Sequence, residues 1–247
     1  MATRLGKKEP VKVFEVGWDG FQRYFTKNFR QGDHVSLIGS TGCGKTTLAF
    51  SGILPIRQHV AVFATKPKDK QISRLQYEGY VRIKQWPPEY PWQNRVLLWP
   101  NAQQVTSAVN QQVVFANALS RIYENGAWCV YIDELHYMID TLKMKNLLSL
   151  IWQQGRSIDI SLVASMQRPS MVPLLAYTQA THLFFWRCND ENDLKRIGGI
   201  GWQNSKVVKE IVARLYGPPG AAPRNKCCQF LYCNARSGAL IVSRLEV

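Results

Sequence analysis

The chain has 247 residues, enough for one large domain at roughly 150 residues per domain, and its 46% hydrophobic and 11% aromatic content excludes a disordered tail. Lys and Arg number 31 against 17 Asp and Glu, a formal charge of +14, so a partner of opposite charge is expected. No apolar run approaches the ~18 residues of a membrane-spanning helix, and the opening Met1 to Lys8 is not followed by the apolar core of a signal peptide, so a cytoplasmic protein without a membrane segment is expected.

In chain order, Val11, Val13, Phe14 and Val16 suggest a short strand, and Phe21, Tyr24, Phe25 and Phe29 a helical face that Gly32 ends. Residues 1–32 therefore read as a strand and helix packing on a core formed by 33–247. Val35 to Ile38 is a strand, with a helix from Lys45 to Gly52, and Val60 to Ala64 is a second buried strand. Over 66–95 the pattern weakens into a basic segment with the proline-punctuated Trp86 to Trp92, read as an exposed excursion from the sheet. Arg95 to Leu98 returns to strand. Val105, Val109, Val113, Ala116, Leu119 and Tyr123 recur at helical spacing until Asn125-Gly126.

Trp128 to Ile132 is apolar throughout, as in a central parallel strand covered on both faces. Leu147, Leu148, Ile151 and Trp152 mark a helix closed by Gly155. Ile160 to Met166 and Leu183 to Trp186 are further strands, and Val207, Ile211, Val212 and Leu215 a helix. After the linker Gly217 to Pro223, the last segment, 227–247, carries two strand patterns, 229–232 and 239–242, around Asn234 to Gly238, a C-terminal β-hairpin. Strands alternating with helices predict an α/β fold with a mostly parallel central sheet flanked by helices. The six cysteines, Cys43, Cys129, Cys188, Cys227, Cys228 and Cys233, lack paired metal-site spacing and read as reduced thiols.

Gly39-Ser40-Thr41-Gly42-Cys43-Gly44-Lys45-Thr46 fits the GxxxxGK[ST] phosphate loop and lies between a strand and a helix, the context in which that pattern carries chemistry. Its glycines let backbone N–H groups face phosphates at a helix N-terminus, Lys45 reaches the β and γ phosphates, and Thr46 ligates Mg2+, with Thr47 beside it. ATP and Mg2+ are the expected cofactors. Cys43, among these N–H groups and next to Lys45, is expected to be a low-pKa, reactive thiol. Asp133 and Glu134 follow an apolar strand directly, which places them at the carboxyl edge of a parallel sheet, where such folds bind ligands. Asp133 suits holding Mg2+ and Glu134 suits a base for the attacking water; taken alone, the pair would also cap a helix. Gln167 ends an apolar strand and is a candidate sensor of the γ-phosphate; taken alone, a Gln before Arg-Pro is more often a turn residue.

Together, the Gly39 to Thr47 loop, the Asp133-Glu134 pair, and Arg156 followed by a strand ending in Gln167-Arg168-Pro169 resemble the FtsK/HerA superfamily of P-loop ATPases. The family's usual Ala-Thr before Gln-Arg-Pro is Ser165-Met166 here. The resemblance implies a RecA-like core, a homo-oligomeric ring, pentameric or hexameric, and Arg156 as an arginine finger acting on the neighbouring subunit. The alternative for Arg156 is a surface arginine just past a helix end. In length the chain is most similar to the small viral genome-packaging ATPases, which implies translocation of double-stranded DNA and docking on a capsid portal or vertex. Lys143 and Lys145 are the DNA-facing candidates; the alternative for either one is a charged, solvated face. Competing readings are a conjugation-coupling or helicase-like ATPase of the same superfamily, a small-molecule kinase, which would normally use an Arg-rich lid in place of Glu134, and a nucleotide-gated scaffold.

Overall fold

Ten strands form a single sheet in the computed structural model, which describes residues 11–100, 108–200, 205–217 and 228–245. The expectations for Met1 to Lys8, Val105, the linker beyond Gly217 and Cys227 lie outside the described residues. The strands are β1 (Val13–Glu15), β2 (Val35–Ile38), β3 (Val60–Phe63), β4 (Val81–Ile83), β5 (Arg95–Leu98), β6 (Cys129–Ile132), β7 (Ser161–Met166), β8 (His182–Trp186), β9 (Gln229–Asn234) and β10 (Leu240–Arg244). Their order is β1-β10-β9-β8-β2-β7-β6-β3-β5-β4, and only β9 runs antiparallel to its neighbours.

The central strands are apolar runs because both faces are covered, so strict alternation would leave polar groups inside. All four residues of β2, β3 and β6 are buried. Successive side chains of β3 point into different cores, Ala61 and Phe63 into one and Val60 and Val62 into the other. The first core is closed by the helices Ala108–Asn125 and Lys145–Gln154, the second by Trp18–Asn28 and the helical run that starts at Lys45. Phe21 anchors the N-terminal helix with its ring 5.0 Å from Phe230, 5.3 Å from Tyr232 and 5.9 Å from Phe184.

Two expectations need correction. Segment 66–95 is not wholly an excursion from the sheet: much of it is exposed, Tyr77 and Trp92 included, but it contributes a helix, Lys70–Arg74, and the edge strand β4, and Trp86 is buried with its ring edge-on to Trp128 at 4.9 Å. In the helix Ala108–Asn125 the inward stripe is Gln111, Phe115, Ala118, Leu119 and Ile122, whereas Val109 and Val113 are exposed. Phe115 meets Phe63 at 5.0 Å and sets the helix rotation, a choice that periodicity in an evenly apolar segment leaves open.

The hairpin pattern at the C-terminus is present as β9 and β10. Asn234 Oδ1 accepts the amides of Arg236 and Ser237 at 2.9 and 3.1 Å, and Gly238 takes the left-handed φ of +72° that closes the turn. β1 then adds in parallel to β10.

Candidate active site

Strand order brings the chemistry together. β7 lies between β2 and β6, with Ile38 level with Met166 and Ile132 level with Ala164. The residues that follow these strands, Gly39, Gln167 and Asp133-Glu134, therefore emerge side by side at the carboxyl edge of the sheet.

The loop after β2 turns on two glycines with positive φ, Gly42 at +79° and Gly44 at +101°. Gly39 has a different reason to be glycine: an added Cβ would lie 2.7 Å from Trp186 Cβ and 2.9 Å from Cys43 Sγ. Gly44 caps a helix, Lys45–Leu48, that continues through a π turn and a 3-10 turn to Ile56, so the loop ends where free N–H groups and the helix dipole favour an anion. Ser40 and Thr41 are exposed at the mouth of the loop. Lys45 is buried and folded back, its Nζ donating to the carbonyls of Gly39 at 2.6 Å and Ser40 at 2.8 Å.

Thr46 Oγ1 donates to Asp133 Oδ1 at 3.1 Å, so the two oxygens expected to hold a hard cation already converge across 87 residues of chain. Their chemistry fits Mg2+, which takes one or two protein oxygens and completes its shell from phosphate and water. The buried Tyr131 hydroxyl donates to the same Oδ1 at 2.8 Å; burial, and then the carboxylate itself, push its pKa well up, so it stays a donor. Thr47 follows on the same helix, half-buried, with its carbonyl accepting from Ser51 at 2.8 Å.

Glu134 is half-buried, and Gln167 Nε2 donates to its two carboxylate oxygens at 3.2 and 3.1 Å. The other end of the amide accepts from Thr41 Oγ1 at 2.9 Å. Gln167 thus bridges the phosphate loop and the carboxylate in place of a free sensor amide. Arg168 braces the turn: its guanidinium donates to Asp193 and Asp190, each at 3.1 Å, and Asp193 also accepts the Ser170 amide at 2.9 Å.

The expectation for Cys43 is overturned. Its thiol is buried, and burial pushes it up to about 11 despite the opposing pull of Lys45. A low dielectric penalises the thiolate more than one nearby ammonium stabilises it.

Arg156 is exposed at the opposite edge of the sheet, in the turn Gly155–Ile158 before β7. One guanidinium nitrogen donates to Thr181 Oγ1 at 2.8 Å, and Thr181 in turn donates to Asp33 at 3.3 Å. Arg156 is therefore remote from the phosphate loop of its own chain. Lys143, after the π turn Tyr137–Thr141, and Lys145, the first residue of the helix Lys145–Gln154, are exposed, and among the described residues they join none of the site's contacts.

Sequence reasoning placed Lys66 in a solvated basic segment. It follows β3, the neighbour of β6, and its Nζ lies 3.0 Å from Asp133 Oδ2 and 3.8 Å from Asp69. Partial burial disfavours its charge, but the hydrogen bond and charge of Asp133, with Asp69 and Glu134, more than offset this and raise its pKa. The residue lines a cavity of about 470 Å³ with Glu134, His136 and Tyr137. No signal short of knowing that β3 and β6 are adjacent would have found it.

No protein-family model and no curated protein matches the chain. Solved structures do. The DNA-packaging ATPase B204 from Sulfolobus turreted icosahedral virus superposes with a TM-score of 0.65 at 17% identity, over 89% of this chain and 100% of that one. The genome packaging NTPase B204 from Sulfolobus turreted icosahedral virus 2, in complex with AMPPCP, gives 0.62 at 15% identity over 88% and 99%. The pCW3 conjugation coupling protein TcpA, with ATPγS, gives 0.51 at 16% over 86% of this chain and 59% of that one. These likenesses show the shared fold, a RecA-like P-loop core. Among the described residues, no helix is long and apolar enough to cross a membrane.

Proposed function

We propose that this chain is a Mg2+-dependent ATPase of the FtsK/HerA type that moves double-stranded DNA through a homo-oligomeric ring, as a genome-packaging motor does. The observation that carries the reading is the bridge from Thr41 through Gln167 to Glu134, which couples the phosphate loop to the carboxylate that would handle water. A phosphate loop alone serves many chemistries; a carboxylate one residue beyond Asp133, tied by an amide to the loop, suits hydrolysis.

In the proposed reaction, Lys45 leaves the carbonyls of Gly39 and Ser40 for the β and γ phosphates, and loop N–H groups take the remaining oxygens. Thr46 and Asp133 are the residues that would hold Mg2+, which when bound neutralises charge developing on the phosphates. Glu134 orients and deprotonates the attacking water. Gln167 would report γ-phosphate loss by exchanging partners between Thr41 and Glu134. Arg156, at the far edge of its own subunit, serves a neighbour's site, and the exposed Lys143 and Lys145 face DNA. The +14 charge supports tracking of a phosphate backbone. Docking on a capsid portal or vertex in a host cytoplasm follows from the packaging reading.

Phosphate release measured with and without duplex DNA, alongside the mass of the assembly, tests the proposal. Stimulation by DNA of any sequence in a ring-sized assembly is the expected result. Turnover indifferent to DNA, or transfer of phosphate to a small molecule, would sink the translocase reading. The likeness to TcpA keeps a conjugation-coupling ATPase as the second reading; duplex translocation in the absence of a membrane partner would argue against it.

A further inference from the structure

Among the described residues, Asp133 accepts three donors. Thr46 and Tyr131 take Oδ1, and Oδ2 is held by the ammonium of Lys66 at 3.0 Å. The first two are neutral hydroxyls that orient the carboxylate; only Lys66 supplies charge. We infer that Lys66 is a built-in cationic placeholder, an ammonium that occupies the divalent-metal position on Asp133 in the nucleotide-free protein and must be displaced when the metal arrives with nucleotide.

This inference rests on the reading of Thr46 and Asp133 as the metal's residues. Three features of the molecule support it. The backbone that carries Lys66 is fixed: its carbonyl accepts from the buried Trp99 indole at 3.0 Å, and the preceding Thr65 carbonyl accepts from the buried Gln111 amide at 3.1 Å. Only the flexible stem has freedom, so the ammonium is aimed but not locked. Second, the side chain of Lys66 is 47% exposed whereas that of Asp133 is 8% exposed, so water can reach the cation and release it while the carboxylate stays in place. Third, there is somewhere for the displaced ammonium to go, because the same stem lines the 470 Å³ cavity beside Glu134, and Asp69 stands 3.8 Å away. A purely structural ion pair needs neither an escape route nor an exposed cation.

The physical consequence is selectivity for metal that comes with phosphate. An Asp133 neutralised by Lys66 binds free divalent cation poorly, since the incoming ion must expel a charge of the same sign. A metal ion accompanied by nucleotide phosphates brings further ligands of its own and tips the exchange.

Mn2+ binding to the nucleotide-free protein, followed by electron paramagnetic resonance, reads this directly and needs no turnover. Lys66→Met and Lys66→Gln, two neutral replacements of different shape, should each bind Mn2+ roughly two- to fivefold more tightly than the parent, the scale of losing one partly exposed ion pair. Lys66→Arg keeps the charge and should match the parent, and adding Asp133→Asn to Lys66→Met should remove the gain. Unchanged Mn2+ affinity in folded neutral variants, or an equal gain in Lys66→Arg, would overturn the placeholder. Binding of metal-free ADP separates the two levels: if parent and variants all fail to bind it, the nucleotide-site reading fails, whereas normal ADP binding with unchanged Mn2+ affinity rejects the placeholder alone.

Discussion

Gln167 and Glu134 are 33 residues apart in the chain, yet one amide nitrogen spans both oxygens of the carboxylate at 3.2 and 3.1 Å. Insertion of β7 between β2 and β6 makes this possible, and it leaves the amide oxygen free to face Thr41. Glu134→Gln should retain nucleotide binding and lose roughly 10² to 10⁴-fold in hydrolysis, the range for a positioned general base. Gln167→Leu should also bind nucleotide but turn over more slowly. Equilibrium binding of a labelled nucleotide beside phosphate release separates the two steps; parental turnover in Glu134→Gln would move the base elsewhere.

Lys45→Ala should fail at the earlier step. The ammonium that rests on the Gly39 and Ser40 carbonyls is the charge the phosphates would receive, and without it nucleotide affinity should collapse. Calorimetric titration with ADP checks this, and retained parental affinity would remove Lys45 from the site.

Cys43 should be an unreactive thiol. With its pKa raised from 9.0 to about 11, the thiolate fraction near neutral pH falls roughly a hundredfold, before the steric cost of burial is counted. Mass spectrometry after brief maleimide treatment should find Cys43 unmodified, whether or not MgATP is present. Rapid labelling that nucleotide prevents would restore the reactive-thiol reading.

Arg156 lies on the edge of the sheet away from its own phosphate loop, so any contribution to hydrolysis must reach a neighbour. Arg156→Ala should bind nucleotide normally yet hydrolyse it about 10³ to 10⁵-fold more slowly, the scale of an arginine finger. Mixing it with Lys45→Ala under verified subunit exchange should restore some turnover, because one interface can then combine an intact loop with an intact finger. Full activity in Arg156→Ala would reduce the residue to its bond with Thr181.

Stability should fall in acid in two stages. His34 is buried, and its Nδ1 accepts the Leu162 amide at 3.0 Å; burial, with the nearby Arg156, lowers its pKa from 6.5 to about 4. Between those values the unfolded chain takes up a proton that the folded chain refuses, so stability drops as the pH is lowered through this window, by up to about 3 kcal/mol. His182, lowered by burial against the pull of Asp33, acts in the same sense. For Asp33, burial alone would raise the pKa, but hydrogen bonds from His182, Arg236 and the Arg30 amide hold the carboxyl well below its usual 3.8. Its contribution is present above that value and is lost as the pH falls beneath it. Urea midpoints from pH 8 to 3 follow both stages, and a His34→Gln profile as steep as the parent's between pH 6.5 and 4 would exclude His34 as a source of the first.

The amino-acid sequence by itself determined the α/β alternation, the phosphate loop and the position of Asp133-Glu134 at a strand end. Each of these is local: apolar runs bounded by turns, glycines at a fixed spacing, and a strand's direction are all carried by consecutive residues. The sequence also marked Gln167 as a strand-terminal amide, but not its partners. Which strands are neighbours was decided only in three dimensions, because pairing depends on how two apolar faces are covered at once, and many orders of the same strands satisfy the same pattern. That order put Gln167 between Thr41 and Glu134, carried Lys66 from a basic segment onto Asp133, and set Arg156 at the far edge. Burial was equally a tertiary matter. The residues beside Cys43 in the chain argued for a thiolate, and the packing of that thiol away from water reversed the sign, since desolvation acts through everything that surrounds a group rather than through its neighbours in sequence.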